Sequence, residues 1–371
     1  MQAIECHGRE NLKYTTNKEL PRLIHPHDVK IKILYCGICG SDLHEYLDGP
    51  IFFADETNPI TLKTKYGQAM GHEISGEIVE LGSDVDRNLS IGQHVVIEAC
   101  GTCLDKPYLH STNKEICHSC SIGKYNCCEF INFYGLGFSD GGFADYCVIS
   151  DQHVIPYDPK VVSDDVAALI EPLSVSWHGV RQSKIEPNLN TESLIIGGGP
   201  IGLCTIFALR GHKVTNIVLS EPAEARRKLA AKLGVRIFDP KHPIEELRAM
   251  TNNSSGFDYI YDCSGNKETF HAMIELLKAG GVGTNIAIWP KIPVDLYPMS
   301  LTLNEIYITG SMCYVRKDFE LVIEAFNQGL INPKEVQLLI TGKVPLKNGI
   351  EKGILELIHN KANNIKILLH P

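Results

Sequence analysis

The sequence predicts an α/β protein that combines a β-rich part with a doubly wound parallel sheet. Three observations support this fold class. Strand-like and helix-like segments alternate after about residue 170, which is typical of a parallel sheet with helical crossovers. Before that point, segments alternate polar and apolar residues between glycine turns, as half-buried strands do. A glycine-rich run from Gly197 to Gly202 stands between a predicted strand and a predicted helix. With 371 residues, 44% of them hydrophobic, the chain is long enough for two domains.

The N-terminal part is predicted to be built mainly of strands. Residues 29–34, 73–79 and 94–98 show a period of two, separated by glycines and polar turns. Residues 100–130 hold many cysteines and little hydrophobic periodicity, so we expect a lobe without a core of its own.

The second part is predicted to alternate strands with helices. The predicted strands are residues 194–196, 216–220, 257–263, 282–288 and 306–311. The predicted helices are residues 201–209, 223–233 and 270–279. The tail from Met312 contains two helical stretches and ends in a strand-like segment at residues 364–369. No internal repeat or low-complexity linker interrupts the chain.

Composition and charge exclude several functions. The net charge of -9 argues against binding of a nucleic-acid backbone. The longest uncharged apolar stretch, residues 193–209, is too short for a membrane span and contains the glycine run. The start of the chain lacks the pattern of a signal peptide. The 13 cysteines then indicate metal ligands or free thiols, and the cytosol is the expected compartment.

The glycine run predicts a dinucleotide site. Gly197, Gly199 and Gly202 give the G-x-G-x-x-G pattern, with Pro200 and Ile201 inside it. The first glycine would allow a tight turn, the second a close approach to a pyrophosphate, and the third close packing of helix on sheet. The helix N-terminus would offer N–H groups to the phosphates. The alternative interpretation is a structural turn without a nucleotide.

An acidic residue at the end of the next predicted strand favours NAD over NADP. Glu221 can bind ribose hydroxyls and would repel a 2′-phosphate, so Glu221→Ser is expected to relax the preference for NAD. Arg226 and Arg227 follow one helical turn later. Arg226 is a candidate for contact with the adenosine, whereas Arg227 is better explained as part of a solvated helix face.

A catalytic zinc site is predicted from residues of the N-terminal half. Cys39 and His72 provide a thiolate and an imidazole, and Glu171 is the candidate third ligand. Catalytic zinc takes three protein ligands and keeps a fourth position open. Cys36 and Cys39 form a C-x-x-C pair, which elsewhere indicates redox chemistry, but no thioredoxin-like βαβ pattern surrounds them. The alternative role for Glu171 is that of an acid at a helix start.

A second, structural zinc site is predicted in the cysteine lobe. Four thiolates that leave no position open describe such a site, and the candidates are Cys103, Cys117, Cys120 and Cys128. Cys100 competes with Cys103, and Cys127 competes with Cys128. The alternative is a lobe of reduced thiols without metal.

Over its whole length the sequence resembles the zinc-containing medium-chain alcohol dehydrogenase family. The resemblance is carried by Cys39-Gly-Ser-Asp, Gly71-His72-Glu73, the cysteine lobe and the glycine run. Within that family, Glu171-Pro-Leu-Ser-Val resembles the polyol and butanediol branch. Similarity to the fungal butanediol dehydrogenases is carried by residues 36–51, Asp165-Val-Ala-Ala-Leu, Asp262-Cys-Ser-Gly and Leu339-Ile-Thr-Gly. The insertion between Gly49 and Gly67 and the long gap from Cys103 to Cys117 also resemble those fungal enzymes.

The resemblance implies a fold and an assembly. It implies a GroES-like β-barrel catalytic domain, residues 1–172 and 312–371, around a Rossmann NAD-binding domain, residues 173–311. It also implies a homodimer or homotetramer. The sequence departs from the family pattern at Glu171, which stands where a second cysteine ligand is expected. Direct ligation, ligation through water and alternation with Glu73 are therefore all open.

The resemblance also implies a reaction and roles for three residues. Zinc lowers the pKa of a bound alcohol, and hydride passes to NAD. Ser41 would begin a proton relay, His44 would continue it towards solvent, and Glu73 would orient the site electrostatically. A turn cap for Ser41 and a structural role for His44 are the alternatives.

The expected substrates are small secondary alcohols or vicinal diols. The first expectation is (R,R)-2,3-butanediol and acetoin, with reduction of diacetyl. The alternatives are a sorbitol- or xylitol-type polyol dehydrogenase and a catalytically silent relative that acts as a binding protein.

Overall fold

The computed structural model describes residues 1–54, 66–86, 88–105, 116–188 and 190–371. Most of the insertion between Gly49 and Gly67, and residues 106–115 of the gap between Cys103 and Cys117, lie outside the described residues.

The strands in the described part of the chain are numbered in chain order. They are β1 Ala3–Cys6, β2 Leu12–Thr15, β3 Asp28–Gly37, β4 Gln68–Ala69, β5 Glu73–Leu81, β6 His94–Ile97, β7 Cys100–Gly101, β8 Asn132–Tyr134, β9 Gly137–Ser139, β10 Tyr146–Ser150, β11 Val154–Pro156, β12 Glu192–Ile196, β13 Asn216–Ser220, β14 Arg236–Phe238, β15 Phe257–Asp262, β16 Leu277–Asn285, β17 Tyr307–Gly310, β18 Ile340–Pro345 and β19 Lys366–His370.

The α-helices in the same ranges are numbered likewise. They are α1 Gly40–Asp48, α2 His118–Ser121, α3 Asp164–Ala167, α4 Ile170–Gln182, α5 Pro200–Gly211, α6 Glu224–Lys232, α7 Ile244–Ala249, α8 Lys267–Leu276, α9 Met299–Asn304, α10 Arg316–Asn327, α11 Pro333–Val336 and α12 Glu356–His359.

The chain forms two compact units. The first comprises Met1–Glu171, Val315–Ile323 and Ile340–Pro371, and the second comprises Pro172–Tyr314 and Glu324–Leu339. The predicted division put all of residues 312–371 in the first domain, whereas the structure assigns Glu324–Leu339 to the second unit. An ion pair explains part of this difference, because Arg210 Nη1 on α5 lies 2.8 Å from Glu335 Oε2 on α11. Such a contact between distant segments leaves no periodic signal in the sequence.

The second unit contains the predicted parallel sheet. Its six strands follow the order β14-β13-β12-β15-β16-β17, and every neighbouring pair is parallel. Leu194, Val218 and Ile260 are fully buried and belong to one hydrophobic cluster. Burial of adjacent strands on both faces accounts for the apolar runs seen in the sequence.

One helix of this unit lies earlier in the chain than predicted. Helix α8 spans Lys267–Leu276 rather than residues 270–279, and strand β16 begins at Leu277. Asn266 sets the start of the helix because its side chain accepts a hydrogen bond from the N–H of Thr269 at 2.9 Å. The prediction overlooked this N-cap.

The first unit is built around a seven-stranded sheet. Six of its strands follow the order β11-β6-β5-β3-β19-β18, and β10 also pairs with β3. The long strand β3 pairs with β5 along most of its length, and with β19 at its C-terminal end, where Cys36 faces Leu369. The end of the chain is therefore beside the segment that leads into Cys39.

Candidate functional site

Cys39 precedes helix α1, and an aspartate fixes its position. The N–H of Cys39 donates a hydrogen bond to Asp42 Oδ2 at 2.8 Å, which caps the first turn of the helix. The other oxygen of this fully buried carboxylate lies 3.5 Å from Nδ1 of His72, and neither atom has a closer hydrogen-bond partner among the described residues. One carboxylate, that of Asp42, therefore contacts both Cys39 and His72 and fixes the position of the thiol relative to the imidazole.

His72 is positioned by the glycine before it. Gly71 has φ = 91°, and a Cβ atom there would lie 2.3 Å from the ring of Phe143, so only glycine fits. His72 itself is buried, and burial disfavours its imidazolium form. The charges of Asp42 and Cys39 outweigh burial and raise the pKa of His72 well above its usual value.

A buried lysine from the end of the chain holds Glu73. Lys366 Nζ lies 2.5 and 2.7 Å from the two carboxylate oxygens of Glu73, and 3.0 Å from the carbonyl oxygen of Ile38. Burial disfavours the ammonium, but Glu73 and then Cys39 outweigh it and raise the pKa of Lys366. Glu73, which directly follows His72 at the start of β5, is thus paired with the buried ammonium group of Lys366 from β19.

The other predicted residues of this site differ in placement. Glu171 is buried in the first turn of α4, and its charge also contributes to the raised pKa of Lys366. Ser41 Oγ lies 3.8 Å from Cys39 Sγ. His44 points to solvent: its side chain is 60% accessible and lies 3.8 Å from Asp48. The structure therefore brings Ser41 close to Cys39, and leaves His44 on the outer face of α1.

The donor set of Cys39 and His72 fits a zinc ion. Thiolate and imidazole are ligands that zinc prefers, and the buried Nδ1 of His72 faces a carboxylate, the usual way to orient a ligating imidazole. Among the described residues, the four lobe cysteines alone place three or more potential ligand atoms within 4.8 Å of one another. Ligation by Glu171 therefore stays a prediction.

The cysteine lobe brings its four predicted ligands together. The sulfur atoms of Cys103, Cys117, Cys120 and Cys128 all lie within 4.8 Å of one another, and all four residues are buried. Cys117 caps the short helix α2, so the C-x-x-C spacing places Cys120 one turn later on the same side. Of the two competitors, Cys100 lies in β7 and Cys127 is exposed, and neither belongs to this group.

The four thiols of the lobe can all be ionised at the same time only if a cation is bound to them. Desolvation disfavours the thiolate of Cys117, but the N–H groups of Cys120 and Glu129 lower its pKa to about 7. Burial raises the pKa of Cys128 to about 11, and also raises that of Cys120. Four clustered thiolates at neutral pH therefore need a counter-ion, and a four-sulfur set fits zinc.

The glycine turn has the geometry that the motif predicts. Gly197 has φ = 101°, Gly199 caps α5, and Pro200 is the first helical residue. A Cβ atom on Gly202 would lie 1.8 Å from the carbonyl oxygen of Gly197, so glycine is required for this approach of helix to strand. A Cβ atom on Gly199 would meet nothing closer than Arg226 Nη1 at 3.9 Å. The turn is thus open beside Gly199.

Glu221 lies directly against this turn. Its carboxylate is buried and accepts hydrogen bonds from the N–H of Gly198 at 2.6 Å and of Ala223 at 2.7 Å. The guanidinium of Arg227 donates to the carbonyl oxygens of Glu221 and Pro222, and pairs with Asp239 at 2.7 Å. Arg227 is therefore held by its own chain and is not simply part of a solvated face, which corrects the prediction for this residue.

The whole chain is similar to known dehydrogenases. Residues 25–159 match the alcohol dehydrogenase GroES-like domain, and residues 200–328 match the zinc-binding dehydrogenase domain. An (R,R)-butanediol dehydrogenase of Saccharomyces cerevisiae is 43% identical over all of this chain and 98% of its own length. A probable (R)-acetoin-forming diacetyl reductase of the same yeast is 42% identical over all of this chain and 90% of its own. The crystal structure of 2R,3R-butanediol dehydrogenase from Bacillus subtilis superposes with a TM-score of 0.86 at 30% identity, covering 100% of this chain and 99% of that one.

The chain belongs to the zinc-binding alcohol dehydrogenase family. The predicted fold class, a GroES-like domain combined with a Rossmann-type parallel sheet, is confirmed for this dehydrogenase. None of the helices in the described ranges combines the length and the apolarity needed to cross a bilayer.

Two residues of the dehydrogenase site were not singled out from sequence. Asp42 had a local signal, because it stands three residues after Cys39, the spacing of a capping pair. Lys366 had a weaker one: it is a lone cation in the apolar run from Ile365 to Leu369. Its partner Glu73 lies almost the whole chain away, so sequence reasoning could not pair the two.

Proposed function

We propose that this dehydrogenase transfers hydride between NAD(H) and a vicinal diol or hydroxyketone, with (R,R)-2,3-butanediol, acetoin and diacetyl as its substrates. The observation that carries the proposal is that Asp42 contacts both the half-buried Cys39 and the buried His72, with Ser41 beside Cys39, in a chain whose full-length relatives bear those activities in their names. The matched region covers the whole chain and therefore spans the glycine turn and the predicted metal ligands.

The residues would divide the work as follows. Cys39, His72 and Glu171 would hold a zinc ion, which when bound supplies the Lewis acidity that makes an alcohol proton easier to remove. Ser41 would accept that proton as it passes its own hydroxyl proton on, and the 3.8 Å between its Oγ and Cys39 Sγ supports this role. His44, exposed on the same helix, would release the proton to solvent. Lys366 keeps the charge of Glu73 neutralised beside His72.

The glycine turn and Glu221 support NAD as the cofactor. The turn is open beside Gly199 at the start of α5, where a pyrophosphate would meet backbone N–H groups. A buried carboxylate at the end of β13 disfavours a 2′-phosphate. Arg227, a cation on the following helix, pairs with Asp239 rather than with such a phosphate.

A spectrophotometric substrate panel tests the reaction. The purified protein should oxidise NADH with acetoin and diacetyl, and reduce NAD with (R,R)-2,3-butanediol in preference to the other stereoisomers. Faster reduction of NAD with sorbitol or xylitol would instead assign the enzyme to the polyol dehydrogenases. Turnover with none of these substrates would refute the proposal.

Metal analysis tests the assignment of the catalytic site. Cys39→Ala should lose one zinc ion per chain and nearly all turnover. Cys36→Ala is the matched control, because Cys36 is a buried thiol of the same C-x-x-C pair that is not a predicted ligand. Full zinc content and activity in Cys39→Ala would exclude Cys39 as a ligand.

We also propose that the enzyme is a homo-oligomer that uses the open edge of the six-stranded sheet. Strand β17 is the last strand of that sheet, and Tyr307 on it is 65% exposed. Ile288, Tyr297 and Leu303, all at least 72% exposed, lie in the segment leading to it. An exposed apolar edge of this kind is a site for pairing with a second copy. Tyr307→Glu should therefore shift the mass measured by light scattering towards the monomer, and an unchanged mass would refute this interface.

The proposed location is the cytosol. None of the 13 cysteines, all of which lie in the described part of the chain, forms a disulfide, which fits a reducing compartment.

A further inference from the structure

Each oxygen of the Glu221 carboxylate accepts a short hydrogen bond from a backbone N–H group of a nearby residue. Oε2 accepts the N–H of Gly198 at 2.6 Å, and Oε1 accepts the N–H of Ala223 at 2.7 Å. Gly198 is the second residue of the glycine turn, and Ala223 is the N-cap of α6. One side chain thus joins the turn after β12 to the start of the helix after β13.

These contacts are of a strong kind. Both distances are at the short end for N–H donors, as expected when the acceptor is ionised. Glu221 is 4% exposed and Gly198 is buried, so water has little access to the N–H groups if the acceptor is removed. An unpaired buried N–H group is costly, and the turn would rearrange to avoid it.

The packing around Gly198 is equally specific. A Cβ atom at this position would lie 2.9 Å from Cγ and 3.1 Å from Cβ of Glu221. The turn therefore closes directly onto the glutamate side chain. Gly197, with φ = 101°, directs the Gly198 N–H towards that carboxylate.

We propose that Glu221 is a positioning residue for the glycine turn, which it holds in its phosphate-binding shape before any cofactor arrives. This inference rests on the proposed dinucleotide site, and it adds a second role to the contact with ribose hydroxyls expected of this residue. Each carboxylate oxygen has a further lone pair, so the two roles are compatible.

A positioning role for Glu221 changes the effect expected of Glu221→Ser, the substitution that would otherwise switch the cofactor preference. If Glu221 acted through the ribose alone, Glu221→Ser would weaken the binding only of ligands that carry ribose hydroxyls. Loss of the negative charge would then strengthen the binding of other anions. If Glu221 holds the turn, Glu221→Ser weakens binding of every ligand whose phosphates use that turn. A smaller side chain at residue 221 then does not by itself create an NADP enzyme.

The test compares two nucleotides that differ only in the groups the ribose role requires. ADP and 2′,3′-dideoxy-ADP are titrated calorimetrically into the wild-type protein, Glu221→Ser and Glu224→Gln. Glu224 is the matched control, since it is a carboxylate of the same segment whose side chain is 70% accessible and pairs with Lys228. Amide hydrogen exchange of a peptide spanning residues 194–203 is measured on the same three proteins without ligand.

Glu221→Ser should weaken binding of 2′,3′-dideoxy-ADP by at least about tenfold, the loss expected when a hydrogen bond to a charged group is removed. Exchange in the 194–203 peptide should accelerate in this variant and not in Glu224→Gln. Unchanged or tighter binding of the dideoxy nucleotide, or exchange at the wild-type rate, would overturn the proposal. If the wild-type protein bound neither nucleotide, the proposed cofactor site would fail, while the exchange measurement would still decide whether Glu221 holds the turn.

Discussion

Replacing Lys366 with methionine removes the ammonium group that lies between Glu73 and the carbonyl oxygen of Ile38. Methionine keeps most of the length and volume of the side chain, so packing in β19 changes little. The carboxylate of Glu73 then stays buried beside His72 without its cation. This substitution isolates the ion pair from the packing that surrounds it.

The expected magnitude follows from the burial of the pair. The side chains of Lys366 and Glu73 are 3% and 1% accessible, and both carboxylate oxygens lie within 2.7 Å of Nζ. Breaking such a pair by removing one partner costs about 3–5 kcal/mol, because the other charge is left buried. For a unit of this size that corresponds to a drop of roughly 10 °C in the thermal midpoint.

Lys228 provides the comparison. It pairs with Glu224 at 2.6 Å, but the two side chains are 71% and 70% accessible, so Lys228→Met should lower the free energy of unfolding far less than Lys366→Met. Chemical denaturation of the zinc-loaded protein, followed by circular dichroism, measures both variants. The double variant Lys366→Met/Glu73→Gln should recover much of the loss, since no charge is then stranded. The reasoning is refuted if Lys366→Met is no less stable than Lys228→Met, or if the double variant is as unstable as Lys366→Met.

Two further predictions concern the cysteine lobe and a buried histidine. Cys120→Ser should lose one zinc ion per chain and lower the thermal midpoint, whereas the exposed Cys127→Ser should do neither; retention of the metal in Cys120→Ser would contradict the four-cysteine site. Burial opposes protonation of His153, but Asp105 and then Glu98 raise its pKa above 6.5, so its stabilising charge is present below that value and is lost as pH rises through the folded pKa. The stability lost in His153→Gln, measured by urea unfolding, should therefore be larger near about pH 6 than near about pH 9, and a pH-independent loss would argue against this pair.

Local patterns predicted the parts of the molecule that depend on neighbouring residues. The glycine turn was found because Gly197, Gly199 and Gly202 each satisfy a separate steric demand, and the structure shows two of these directly: a positive φ at Gly197 and no room for a Cβ atom at Gly202. The central strands β12 and β13 of the parallel sheet were found because both of their faces are buried, which gives continuous apolar runs, whereas the short and partly exposed edge strand β14 was missed.

Features that depend on distant segments were out of reach. In the cysteine lobe the sequence left two pairs of competitors open, because Cys100 and Cys103, like Cys127 and Cys128, are too close in the chain to be separated by spacing. Folding separates them: Cys100 is in a strand and Cys127 faces solvent. The same limitation hid the pairing of Lys366 with Glu73, which depends on the register between β19 and β3.

That pairing bears on which carboxylate completes the predicted catalytic site. Glu73 and Glu171 are both buried acids whose charges act on Lys366, and the sequence left alternation between them open. For Glu73 to ligate a metal, a carboxylate oxygen would have to leave Lys366, and the ammonium would lose its closest counter-charge in a site with almost no access to water. Such a separation costs several kcal/mol before any metal–oxygen bond forms. The structure therefore supports Glu73 as the partner that keeps Lys366 neutralised rather than as a metal ligand, and ligation by Glu171 stays a prediction.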